Sequence, residues 1–295
     1  MILLPLILTL TITPLFAQLD LSGTWAARNF SDELGNRPGP GPGPDDWLGI
    51  PLNEFGIAKA LSYSPSQISM PDRICSVYTS AYLAIGPFGL KLWNETEPLN
   101  GTTVSWNIGG WEDMGPITIW MDGRPHPSKS APHEKSGFTT GVWENDVLTA
   151  YTTHLKAGYI RRSGAPSSDL ATITTKFSRH DDILTVTERI DDPVFLSEPY
   201  YLTRTFQLID GIPMNTVGQP CLQDNEGVKE RVVPHFLPGE NPFLNDLQRD
   251  YNIPAEAIVG GAKTMYPDYR KQLLKDKYIP PAKCTRYCGG PGISR

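Results

Sequence analysis

Residues 138–208 constrain the fold most, because hydrophobicity alternates there with a period of two and acidic pairs interrupt it at regular intervals. In Ile183 to Ile190 the residues Leu184, Val186, Glu188 and Ile190 fall on one side, and in Leu202 to Leu208 so do Leu202, Arg204, Phe206 and Leu208. Alternation of this kind describes strands with one face turned to a core, not helices, whose apolar positions recur at i, i+3 and i+4. The breaks fall at Asn145-Asp146, Asp181-Asp182 and Asp191-Asp192-Pro193, residue types that cap their own backbone or tolerate positive φ in hairpin turns. An antiparallel meander is the expected result.

Shorter apolar segments continue the pattern upstream: Leu19 to Ala27, Val77 to Ile85, Phe88 to Trp93, Thr102 to Ile108 and Pro116 to Met121. Together they predict an all-β chain, either an antiparallel barrel or a strongly curved sheet, with short helical N- and C-terminal arms. The 27 Gly and 28 Pro support many turns and few long helices. Arg37 to Pro44, an alternation of Pro and Gly, cannot be helix or central strand and reads as a surface arm. Helix candidates are Asn53 to Ser62, Asn241 to Tyr251 and Thr264 to Lys277. The expected layout is a signal segment over 1–17, a first strand and Pro/Gly-rich arm over 18–72, the barrel core over 73–210, and a C-terminal arm with a cysteine-containing tail over 211–295.

Met1 to Ala17 holds no charged side chain and is rich in Leu, Ile and Thr, as in the apolar region of a secretory signal. Cleavage after Ala17 would send the mature chain to the periplasm or medium; an uncleaved anchor is the alternative. No apolar stretch beyond it approaches the ~20 residues of a membrane span. Export permits disulfides, and Cys75, Cys221, Cys284 and Cys288 allow three pairings, of which Cys75 with Cys221 and Cys284 with Cys288 is the one we expect. The formal charge is −6 from 26 Lys plus Arg against 32 Asp plus Glu, without a basic run, so a nucleic-acid partner is not expected.

Two charged residues share apolar rows, Glu188 and Arg204. They lie on consecutive strands and can meet inside the sheet, since an unpaired buried charge costs several kcal/mol. Solvent exposure of that edge is the alternative.

Gly23-Thr24-Trp25 on the first strand, taken with Arg204 on a late one, resembles the lipocalin and wider calycin pattern. That resemblance implies an Arg packed over the Trp, closing the bottom of an antiparallel barrel. The segments 120–125 (WMDGRP), 141–146 (GVWEND) and 191–193 (DDP) resemble those of a group of uncharacterised exported bacterial proteins, which implies export and a β-rich fold but no activity.

Reactive groups are densest between 153 and 169. His154 ends a strand at the barrel rim, where an imidazole is suited to general acid or base work. Asp169 is placed to orient it and Arg161 to hold an anion or a developing oxyanion, with Tyr159 in the same cluster. The structural alternative is a hydrogen-bonded strand end beside a solvated basic loop. His126, His133 and Glu134 are potential metal ligands, but in so proline-rich a loop their spacing does not establish convergence, and no metal is expected. GxSxG, HExxH, GxGxxG and phosphate-loop patterns are absent, so nothing points to a cofactor.

Three functions remain open. The first is a binding protein holding a small apolar or aromatic molecule at a mouth lined by Trp106, Trp111, Trp120, Trp143 and Tyr151. The second is a cofactor-independent lyase, isomerase or hydrolase using His154, Tyr159, Arg161 and Asp169. The third is a structural envelope protein.

Overall fold

The acidic turns form where the sequence places them. Asn145 and Asp181 take φ of 56° and 52°, and each opens a two-residue connection between long strands. The strands are β1 (Gly23–Ala27), β2 (Leu90–Thr96), β3 (Thr103–Gly109), β4 (Ile117–Trp120), β5 (Phe138–Glu144), β6 (Val147–Thr153), β7 (Gly158–Tyr159), β8 (Pro166–Ser167), β9 (Thr172–His180), β10 (Ile183–Asp191) and β11 (Tyr200–Ile209). This computed structural model describes residues 19–28, 47, 49–62, 80–82, 89–109, 116–160, 164–210, 248 and 254–275. The four cysteines, residues 1–17 and the Pro/Gly arm lie outside them, as does most of the expected helix at 241–251.

Nine strands close into a barrel in the order β1-β11-β10-β9-β6-β5-β4-β3-β2, and β7 with β8 forms a separate two-stranded sheet. All neighbours in the barrel are antiparallel except β4 and β5, which run parallel with Ile119 opposite Thr139. A parallel pair cannot be joined by a tight turn, so residues 121–137 carry the chain back along the outside of the wall. Ser80–Tyr82, expected within a strand, is a single 3-10 turn.

Inward-facing rows fill the lumen. Leu90 and Leu92, Ile108, Ile117 and Ile119, Leu148 and Ala150, Ile173 and Phe177, Leu184 and Val186, and Phe206 are all buried in one core. The space left among Ile108, Ile119, Thr139, Thr152, Thr175 and Phe177 is about 10 Å³. That is room for about one water molecule, against the ~300 Å³ or more of a site for a small organic ligand.

Glu188 and Arg204 share this inner face, 0% and 2% exposed. The register sets Val186 opposite Arg204 and Glu188 opposite Leu202, so the two charges are diagonal neighbours on adjacent strands. Neither is without a partner. Trp25 is fully buried, with its Nε1 donating to Leu21 O at 3.0 Å. Arg179 stands over Trp25, 5.2 Å from the ring centroid, and Arg204 lies 5.9 Å from the centroid of Phe206. Arg179 also donates to Asp20 O and Asp181 O, which ties the segment before β1 to the turn after β9.

The arms pack on the barrel. Helix α1 (Glu54–Leu61) begins at Asn53, whose carboxamide oxygen accepts from Gly56 N at 2.9 Å and whose Nδ2 donates to Val194 O. A Cβ on Gly56 would sit 2.4 Å from Phe195 O, so only glycine lets the helix lie this close. The C-terminal arm contributes α2 (Ala255–Ile258), a 3-10 turn (Ala262–Met265) and α3 (Pro267–Lys275), joined to residues 49–50 by Gly49 N to Thr264 Oγ1 and Gly261 N to Ile50 O. No described helix is long and apolar enough to cross a membrane.

Candidate functional site

The returning segment 121–137 gathers imidazoles on the outer wall of β5 and β6. Pro125, Pro127 and Pro132 remove backbone donors, so the segment forms no regular element and is held through side chains and isolated bonds. At its start the Asp122 carboxylate takes both Nε and Nη2 of Arg124, the latter at 2.6 Å, and the guanidinium lies 3.5 Å over the Trp120 ring. This pairing holds the Asp122 carboxyl below its usual range and raises Arg124, both at the surface. At its end Glu134 N donates to His154 O, and Lys156 N to Glu134 O, each at 2.9 Å. Gly137 closes the turn at φ +66°, where a Cβ would meet Thr153 O at 2.6 Å.

Between these anchors His126 sits over the sheet. Its Nδ1 is 2.7 Å from Thr153 Oγ1 and its Nε2 is 2.9 Å from Thr140 Oγ1, while its ring contacts Phe138 and Tyr151 at 5.1 and 5.2 Å. His154 follows Thr153 with φ +57°. In a regular strand these neighbours would face opposite sides, and the left-handed turn at His154 breaks that alternation. Thr153 Oγ1 thereby also lies 2.7 Å from His154 Nδ1, and His154 Nε2 donates to Ser128 O at 2.9 Å. His133 donates from Nδ1 to Leu155 O at 2.9 Å, with its ring 5.2 Å from that of His154. No hydrogen bond among the described residues engages His133 Nε2.

The expected catalytic residues that the structure describes are His154, Tyr159 and Asp169. His154 is oriented by Thr153 and Ser128, not by Asp169, which is exposed at the start of the chain leading to β9. Tyr159 is buried on β7 opposite Pro166. The carboxylate that organises this end of the barrel is Asp192, which accepts from Ser168 N, Ser168 Oγ, Val194 N and Phe195 N. Arg161 and Trp111 lie outside the described residues. The other aromatics proposed for one mouth divide between faces. Trp106 and Trp143 pack edge to face at 6.5 Å on the inner side, whereas Trp120 and Tyr151 are on the outer wall. Among the described residues no group of three or more His, Cys, Asp or Glu is arranged to hold a metal ion.

His126 is held below the ordinary histidine value, chiefly by burial and secondarily by the neighbouring His154. The unfolded chain therefore binds more protons than the folded one as pH falls through about 6.5, and stability is lost on the acid side. Urea unfolding at pH 7.5 and 5.5 should show this loss, and His126→Gln should flatten the slope. An equal or steeper slope in the variant would contradict the assignment.

No family model, curated protein or solved structure matches the chain.

Proposed function

We propose that the protein is an exported small-molecule binding protein that takes its ligand on the outer wall, at the histidine-lined seam beside β5 and β6. The observation that carries this reading is His133. Its Nδ1–H is fixed on Leu155 O, which leaves Nε2 as an uncommitted acceptor in a seam where His126 and His154 have both ring nitrogens occupied. The Tyr151 ring, 43% exposed, adds a flat apolar surface along the same wall. An acceptor next to an aromatic face suits a small aromatic molecule bearing an O–H or N–H donor. Among the described residues, the cavity on the inner face beside Ile108 and Phe177 has room for about one water molecule, which favours the wall over the interior.

Export rests on the uncharged Met1 to Ala17 segment, and kinship with calycins on a buried Trp25 covered by a guanidinium bonded to the preceding segment. A thermal-shift panel of phenols and indoles tests the binding reading. A ligand at a hundred times its Kd should stabilise the fold by about 2.7 kcal/mol, and His133→Ala and Tyr151→Ala should each weaken that response. A panel without any shift, or binding untouched by both substitutions, would overturn it.

A further inference from the structure

The direction of every hydrogen bond around Thr153 follows from one atom. The carbonyl oxygen of Ser128 only accepts, so His154 carries a hydrogen on Nε2. A neutral imidazole has one such hydrogen, hence His154 Nδ1 is a bare acceptor and the Thr153 hydroxyl, 2.7 Å away, donates to it. With its hydrogen used, Thr153 Oγ1 accepts from His126 Nδ1–H at 2.7 Å. His126 Nε2 is then bare in its turn, and the Thr140 hydroxyl at 2.9 Å donates to it.

We infer that Thr140, His126, Thr153 and His154 form a relay that takes up one shared proton in acid. At neutral pH the chain is polarised in one direction, from the Thr140 hydroxyl to the Ser128 carbonyl. A proton arriving at His126 Nε2 needs only the Thr140 hydroxyl to rotate and accept. The charge then crosses the pair: His126 gives its Nδ1 proton to Thr153 Oγ1 while Thr153 passes its own to His154 Nδ1. His126 is left neutral with its hydrogen on Nε2, still donating to Thr140. No heavy atom moves, and both singly protonated arrangements keep every bond. A second proton breaks the pattern, because both Nδ1–H groups then point at Thr153 Oγ1, the hydroxyl hydrogen loses its acceptor, and two cations face each other across one oxygen.

The groups around the relay leave this bookkeeping intact. Tyr151 and Phe138 face His126 from the sheet, and His133 faces His154 from the returning segment, with its own Nδ1–H committed to Leu155. The nearby charges are Arg124 paired with Asp122, then Lys129, Glu134 and Lys135 on the returning segment and Lys156 beyond β6. Lys129, Glu134 and Lys156 are exposed. The depressed protonation of His126 agrees with uptake limited to one proton at the pair.

Long-range proton–nitrogen NMR on the full chain with 15N-labelled histidine tests the inference without reference to any ligand. At neutral pH His126 should be the Nδ1–H tautomer and His154 the Nε2–H tautomer. On acidification the nitrogens of both should move together at one midpoint, and their summed change should amount to one proton before unfolding. Thr153→Val, which keeps the shape and deletes the hydroxyl, should mix the His126 tautomers and split the shared midpoint. The opposite tautomer at either histidine, or two complete and independent titrations, would overturn the relay. Wild-type tautomers and midpoints decide the matter even where Thr153→Val does not fold.

Discussion

Replacing Trp25 by alanine is expected to destabilise the protein by about 3–5 kcal/mol, the cost of emptying a large, fully enclosed aromatic site. The ring has no exposed surface, and its indole N–H is spent on Leu21 O. The substitution also removes the platform beneath Arg179, whose remaining bonds to Asp20 O and Asp181 O then hold a cation over a void. Urea unfolding at pH 7.5 measures the loss, and a change below about 1 kcal/mol would mean that the ring does not support the barrel. Arg179→Met, which keeps the stem and deletes the charge, should cost about 1 kcal/mol, the scale of a cation over an aromatic ring.

The second large effect is expected at Asp192, which is 4% exposed and accepts four hydrogen bonds. Asp192→Ala leaves the buried Ser168 N and the half-buried Val194 N and Phe195 N without their acceptor; a stranded buried donor costs about 1–3 kcal/mol and a half-buried one less, so a total of about 3 kcal/mol is expected. Asp192→Asn separates charge from geometry. Its oxygen can still serve Val194 and Phe195, but its amide N–H₂ would face Ser168 N, donor against donor. The amide variant should therefore fall between wild type and alanine. Hydrogen exchange at Ser168, Val194 and Phe195 reports the site directly, and unchanged protection in Asp192→Ala would refute the role. Because Asn53 Nδ2 reaches Val194 O and Ser197 N reaches Pro51 O, the same substitution should loosen the seat of α1.

Much of the barrel was readable beforehand because its cause is local. Period-two alternation placed Glu188 and Arg204 on the inner face, and the acidic pairs marked both two-residue turns. The parallel β4–β5 neighbours were not readable, since parallel pairing leaves no turn between the partners for residue types to mark. The histidine seam was hidden for the same reason. His126 and His133 stand in a proline-rich stretch whose destination depends on where the return path lies, and Thr140 and Thr153 are ordinary residues for an exposed strand face. Arg179 was within reach: it continues the row Ile173, Thr175, Phe177, which is the pattern that singled out Arg204. A cation over Trp25 thus comes from this strand.

Parity explains why the seam exists at all. Around a closed ring, up and down strands can alternate without a fault only when their number is even, and this ring has nine. One like-directed pair is therefore unavoidable, and here it falls between β4 and β5. That fault obliges the polypeptide to travel the height of the wall on the outside, and the travelling stretch brings His126 and His133 to Thr153 and His154. A counterpart with ten strands could join every neighbour by a hairpin, and would have no reason to carry imidazoles there.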